Sequence, residues 1–198
     1  MDRQRLSSHG EALLIVIKGR VQGVGFRPFL FHLAKEYGIK GTVQNNRDGV
    51  RVVAETASAS NLERFVQAIP KNAPGLAVIV ELTVSSQPFI GYTSFEIMET
   101  EPNGASSSIV LPPDYAVCEA CLKDMADPQN PRYRYPFINC TQCGPRYSMI
   151  RELPYDRAMT SMSTFTMCEC CQDDYTMSMI DAFTHSRLLA RSVGLRSN

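Results

Sequence analysis

The sequence predicts an α+β chain in two parts, and three observations predict it. Apolar residues alternate between strand and helix periods in the order βαββαβ up to residue 98, and residues 99–112 form a polar break rich in Ser, Asn and Gly. All seven cysteines lie at or after Cys118, so the second part differs from the first in kind.

The first element is Ala12-Leu13-Leu14-Ile15-Val16-Ile17, short, apolar and β-branched, a strand. Gly19-Arg20-Val21-Gln22-Gly23-Val24-Gly25-Phe26-Arg27-Pro28 follows, and from Phe26 the apolar positions Leu30, Leu33, Ala34 and Tyr37 recur at helical spacing. Gly23 and Gly25 let the backbone turn its N–H groups inward, while Pro28 suits a first helical turn, where its missing donor is not needed. Such a loop at a helix start is an anion cradle, to which Arg27 adds a bidentate clamp. The same pattern also serves as a plain tight turn, and the lysine and hydroxyl of a Walker loop are absent.

Gly38 ends the helix, and Thr42-Val43-Gln44 reads as a second strand. Asn46-Arg47-Asp48-Gly49 is a hairpin turn that returns residues 50–55 antiparallel. A second helix starts at Ser60 as its cap, carries Leu62, Phe65, Val66 and Ile69 on one face, and ends before Pro70. Residues 77–85 and 93–98 supply further strands. The expectation is a ferredoxin-like domain over residues 12–98, an antiparallel sheet with two helices on one face.

Lys plus Arg and Asp plus Glu both number 20, so the net charge is zero and no global field favours nucleic acid or an anionic membrane. Arg132-Tyr133-Arg134-Tyr135 interleaves bases with aromatics, yet without net positive charge it does not argue for nucleic acid. The apolar run near the N-terminus is too short for a secretory leader or a membrane span. A cytoplasmic location is expected, with residues 1–11 weakly ordered. His32 reads as a packed helix residue, His9 and His185 carry no assigned role, and the methionines at 159, 162, 167, 177 and 179 read as gap fillers.

In a reducing compartment clustered cysteines point to metal rather than disulfides. Cys118-Glu119-Ala120-Cys121 and Cys140-Thr141-Gln142-Cys143 are two CxxC knuckles separated by 18 residues, a spacing that directs four thiolates at one zinc ion. Four protein ligands leave no open coordination position, so the predicted role is structural, within a segment spanning residues 113–175.

Val21-Gln22-Gly23-Val24-Gly25-Phe26-Arg27, with Gly41-Thr42-Val43-Gln44-Asn45 and Asp48-Gly49, resembles the signature of the acylphosphatase family over roughly residues 10 to 100. The resemblance implies that the backbone amides of Gln22, Gly23, Val24, Gly25, Phe26 and Arg27, together with the Arg27 guanidinium, hold a phosphoryl group. It also implies that Asn45 positions the attacking water. Thr42 stands where small acylphosphatases usually carry Trp, a departure that bears on packing.

Pro112-Pro113-Asp114, the CxxC pair, Arg132-Tyr133-Arg134-Tyr135-Pro136-Phe137-Ile138-Asn139-Cys140, Cys143-Gly144-Pro145-Arg146 and Leu153-Pro154-Tyr155-Asp156-Arg157 are similar to the zinc segment of the HypF family. HypF proteins are carbamoyltransferases of [NiFe]-hydrogenase maturation. The resemblance implies hydrolysis of carbamoyl phosphate in the acylphosphatase domain, then ATP-dependent adenylation of carbamate in a YrdC-like domain. A further domain delivers the carbamoyl group to a HypE-type partner. The expectation is that this chain stops short of those later domains. The alternative reading is a catalytically inactive zinc-binding docking module.

The family has a second zinc unit, of which Cys168 and Cys171 would form the first knuckle, whereas Ala190 and Val193 stand at the places of the second. Residues 180–194 can be written in codons whose alternate frame, begun one base earlier, reads DRRFHAQPVACPECG, restoring both missing cysteines. The expectation is therefore a frameshifted, prematurely ended chain, family-like to about Tyr175, with residues 176–198 out of frame and not selected to pack. Sequencing the coding DNA checks this: the alternate frame is expected to encode cysteines at the places of Ala190 and Val193.

Overall fold

Five strands lie in the order β4-β1-β3-β2-β5 in a computed structural model that describes residues 10–46, 49–99, 114–130, 132–140, 143–153, 155–167, 169 and 172. The expectations for the N-terminal residues 1–9, most of the linker, Cys168 and Cys171, and the tail 176–198 lie outside these residues.

Strand β1 (Glu11–Arg20) pairs antiparallel with β3 (Gly49–Thr56) on one side and with β4 (Val78–Ser86) on the other. Strand β2 (Lys40–Asn46) runs antiparallel to β3 with Asn46 opposite Gly49; Arg47 and Asp48 of the expected turn lie outside the described residues. Register places Ile15 beside Val52, Ile17 beside Val50, and Val43 on the far side of Val52. Because side chains alternate across a strand, these residues share one face. They pack with Phe26, Leu30 and Ala34 of helix α1 (Phe26–Glu36) and with Leu62, Phe65 and Ile69 of helix α2 (Ala59–Lys71) in a single core.

The sheet is mixed, where the sequence predicts an antiparallel one. The chain leaves β4 at one edge, crosses to the other and enters as β5 (Phe95–Ile97), parallel to β2 with Gly41 opposite Phe95. Glu55 secures that crossing. It sits on the sheet face opposite Val52 and Ala54, is 1% exposed, and accepts hydrogen bonds from the backbone N–H groups of Ile90 (2.6 Å), Gly91 (2.9 Å) and Tyr92 (3.0 Å). A carboxylate so buried is tolerated because donors surround it.

Helix α1 starts at Gly25 and stops where expected, with Gly38 at φ 65° and Ile39 N–H bonded to the Ala34 carbonyl at 2.8 Å. Helix α2 departs from expectation at both ends. Ser58, not Ser60, is its N-cap, and its carbonyl receives Asn61 and Leu62 N–H. The helix also continues through Pro70 to Lys71. A proline one residue from the helix end removes one terminal hydrogen bond, so the last turn absorbs it.

Among its described residues the cysteine-rich segment contains helix α3 (Glu119–Ala126) and three short 3₁₀ turns, with Ile150 bridged to Thr160. Among the described residues its apolar interior is small: Cys121, Ile138, Cys140 and Cys143 form one cluster, and Met149 with Met162 another, consistent with gap filling by Met162. Among the described residues no helix is long and apolar enough to cross a membrane.

Replacing Glu55 with Ala leaves the crossing amides without their acceptor and is expected to lower unfolding stability by about 2–3 kcal/mol, measured by urea denaturation.

Candidate functional site

Gly23 and Gly25 adopt the left-handed conformation, at φ 73° and 75°. This conformation costs any residue with a Cβ and lets the loop reverse directly into α1. Val21, Val24 and Phe26 anchor the loop by pointing into the core, each at most 1% exposed. The first turn of α1 carries no acidic residue, so the positive end of the helix dipole is not offset from within the helix.

Arg27 leaves that first turn toward Asn45, which β2 presents at 2% exposure. With its amide oxygen turned to the guanidinium, Asn45 accepts from Arg27 Nε at 3.2 Å and Nη2 at 3.3 Å. In the opposite amide orientation its Nδ2 faces the Tyr155 carbonyl at 3.3 Å. The two side chains singled out on the sequence are therefore neighbours beside the glycine loop, although 18 positions of helix and strand separate them.

The other wall of the site comes from the cysteine-rich segment. Tyr155 N–H donates to Gln22 Oε1 at 2.8 Å, and both Nη atoms of Arg27 lie 3.4 Å from Asp156 Oδ2. The pair is well shielded, its side chains being 13% and 15% exposed. A Cβ on Gly23 would meet the Tyr155 ring at 3.1 Å and the Pro145 ring at 3.2 Å, so the glycine permits close seating as well as the turn. Burial, with the Asp156 charge adding to it and Arg146 opposing, pushes the Tyr155 phenol up to about 12. It remains protonated near neutral pH and is not a proton acceptor there.

Gln22, expected to contribute its backbone amide, has a second role. Its side chain is 1% exposed, and Nε2 donates to the carbonyls of Asn46 at 2.8 Å and Gly49 at 2.7 Å. Sequence reasoning missed this bracket, as it missed Tyr155 and Asp156 as site residues. Arg27 and Asp156 are 129 positions apart, and no periodicity links them. The available signal was that both fall within the stretches that carry the family resemblances.

Cys118, Cys121, Cys140 and Cys143 converge, their sulfurs within 4.8 Å of one another. Cys118 and Cys140 are 3.5 Å apart, Cys140 and Cys143 3.7 Å, and Cys121 and Cys143 3.9 Å. A tetrahedron with metal–sulfur bonds of about 2.3 Å has edges of about 3.8 Å, so the set fits such an ion. Hydrogen bonds from the Cys121 and Cys140 thiols, then from backbone N–H groups, hold the Cys143 thiol well below its usual range. Arg146 Nη2 lies 3.1 Å from the same sulfur, and the guanidinium also donates to the carbonyls of Cys143, Gly144, Ile138 and Tyr115. This charge favours the thiolate of Cys143, while hydrogen bonds to Cys140 and Cys143, with burial, push the Cys121 thiol up; sequence reasoning assigned Arg146 no role.

With this geometry in place, comparison with known proteins is direct. The acylphosphatase family matches residues 13–97 and the HypF finger matches residues 117–150. The acylphosphatase of Archaeoglobus fulgidus is 40% identical over 86 residues, 43% of this chain and 96% of that protein. The chain belongs to the acylphosphatase family. Its continuation into a HypF finger is shared with the carbamoyltransferase HypF of Synechocystis sp., which is 43% identical over 155 residues, 78% of this chain and 20% of that protein. A full-length HypF crystallised with phosphate and nucleotide superposes with a TM-score of 0.79 at 42% identity, covering 94% of this chain and 24% of that one. The chain thus spans about a fifth of the length of the HypF relative it matches.

The four-cysteine geometry is expected to bind one divalent ion per chain tightly. Equilibrium dialysis with metal analysis checks this, and Cys143→Ser is expected to weaken binding by at least tenfold.

Proposed function

We propose that this chain is the acyl-phosphate hydrolysing and zinc-binding portion of a HypF-type carbamoyltransferase. One observation carries the reading: the Arg27 guanidinium and the Asn45 amide meet within 3.3 Å beside a left-handed glycine loop that opens α1. The proposed substrate is carbamoyl phosphate. Backbone amides of residues 22–27 and the Arg27 guanidinium hold the phosphoryl oxygens and stabilise charge gathering on them. Asn45 orients a water on the phosphorus. The water oxygen bonds to phosphorus, the bond from phosphorus to the acyl oxygen breaks, and carbamate leaves with inorganic phosphate as the other product. Carbamate is a good leaving group, so positioning and charge stabilisation suffice without a covalent nucleophile or a histidine base.

The metal in this reading is zinc, held by Cys118, Cys121, Cys140 and Cys143 in a structural role. The small interior around these cysteines supports it, because metal ligation supplies folding energy that the core does not. Zinc here fixes the segment that carries Tyr155 and Asp156. By similarity to the HypF carbamoyltransferases, a place in ATP-dependent carbamoyl transfer toward a HypE-type partner is proposed for the longer protein to which such a portion belongs.

The ion pair between Arg27 and Asp156 favours a second reading, in which the guanidinium is permanently committed and the chain is an inactive zinc-dependent docking module. Hydrolysis of carbamoyl and acetyl phosphate separates the two readings. The wild-type chain is expected to be active, and Arg27→Ala and Asn45→Ala each to lose roughly 10²–10³-fold in kcat. Equal inactivity of all three would leave the docking reading.

A further inference from the structure

Arg27 is a largely buried cation with a resident partner. Its side chain is 13% exposed and that of Asp156 15%, and both Nη atoms lie 3.4 Å from one carboxylate oxygen, Asp156 Oδ2. Asn45 takes the adjoining edge, Nε and Nη2, at 3.2 and 3.3 Å. An anion thus already holds the Nη1–Nη2 edge, one of those on which a guanidinium forks the two oxygens of a carboxylate or a phosphate. At 3.4 Å the pair is longer than the about 2.7–2.9 Å of a charge-assisted hydrogen bond, so it compensates charge without a short bond. Nor does Asp156 depend on Arg27 for its place. Its other oxygen, Oδ1, accepts from Arg157 N–H at 2.7 Å and caps the 3₁₀ turn Arg157–Met159, while Tyr155 N–H is bonded to Gln22 Oε1 at 2.8 Å. Arg27 can change partner and leave the carboxylate where it stands.

We infer that Asp156 is a displaceable counter-ion of Arg27: a phosphoryl group takes its place on the guanidinium, and its return helps inorganic phosphate to leave. The inference rests on the hydrolase reading above and deepens it by giving the phosphoryl site a residue for product release. A carboxylate and a phosphoryl dianion cannot share one Nη edge without bringing like charges together, and burial leaves that repulsion weakly screened. Binding therefore exchanges one ion pair for another and gains less than an unpartnered guanidinium would give. Departure is easier for the same reason, because it does not strand a buried cation. Substrate and product share the phosphoryl end, so Asp156 weakens both alike. Such uniform weakening raises KM and relieves product inhibition without slowing the chemical step.

The measurement is the affinity of the full chain for inorganic phosphate, by isothermal titration calorimetry, with kcat and KM for acetyl phosphate alongside. Asp156→Asn keeps the side-chain shape and a capping oxygen but removes the charge. It is expected to bind phosphate roughly tenfold more tightly than wild type and to lower KM by a similar factor with no rise in kcat. Asp156→Glu, which keeps the charge, is expected to stay within about threefold of wild type, and Asp156→Ser replaces the asparagine variant if that one fails to fold. Because the effect passes through Arg27, Asp156→Asn added to Arg27→Ala is expected to change phosphate affinity by less than about threefold. A general loosening of the strap would not show that dependence. Phosphate affinity unchanged or lowered in Asp156→Asn would make Asp156 an orienting partner of Arg27 and overturn the inference, as would an equal gain in the Arg27→Ala background. Neither result touches the hydrolase reading while wild type hydrolyses acyl phosphates. Wild type that hydrolyses neither acetyl nor carbamoyl phosphate would instead overturn the hydrolase reading, and the product-release role with it.

Discussion

The buried amide of Gln22 is the interaction on which the arrangement depends. A glutamine side chain has two donors and one acceptor oxygen, and here it is 1% exposed with Nε2 on the carbonyls of Asn46 and Gly49 and Oε1 on Tyr155 N–H, at 2.7–2.8 Å. A fully satisfied polar group in a low-dielectric interior specifies one geometry, because any displacement strands a buried donor or acceptor. Gln22 thereby joins three pieces of chain: the glycine loop, the ends of the β2–β3 hairpin and the strap of the cysteine-rich segment. Arg27 and Asn45 belong to the first two pieces, and Asp156 to the third.

The four-cysteine cluster and the glycine loop are consequently parts of one structure. Gly144, at φ 71°, turns the second knuckle back so that its N–H reaches the Cys140 carbonyl at 2.8 Å, and the next residue, Pro145, rests on Gly23. Arg146 then ties the knuckle together from outside through carbonyls and the Cys143 sulfur. A metal held by these cysteines would act on the glycine loop through these few residues, without a long lever. The same compactness explains why Gly23 admits no side chain: besides its positive φ, rings from two parts of the cysteine-rich segment close over it.

Much of the domain was legible because its elements are periodic. The β-branched run of β1 and the helical recurrence in α1 are local signals that lead to the elements they predict, and β2 and β3 pair antiparallel as the Asp48-Gly49 signal implies. The misreadings occurred where a tertiary partner outweighs a local preference. Ser60 has the chemistry of a cap, but the cap is Ser58, two residues earlier, and Asn61 Nδ2 bonds to the Tyr37 carbonyl of the α1 terminus at 3.1 Å. Pro70 ends a helix in isolation, yet at the last turn its missing donor removes little. The parallel pairing of β5 with β2 depends on Glu55 capturing three amides of the crossing, which no pattern within residues 93–98 announces.

The sequence by itself determined the parts: a glycine loop before a helix, an arginine and an asparagine at family spacing, and two CxxC knuckles whose separation suits one tetrahedral ion. These are short-range or motif-borne properties, set by backbone freedom, donor chemistry and ligand count. Only the tertiary structure decided that the cysteine-rich segment forms a second wall beside Gln22, Arg27 and Asn45, because that wall is made by contacts spanning 110 to 133 positions. Hydrogen bonds between groups so far apart in the chain leave no period to read; they exist when burial brings a donor, an acceptor and the absence of water to the same place.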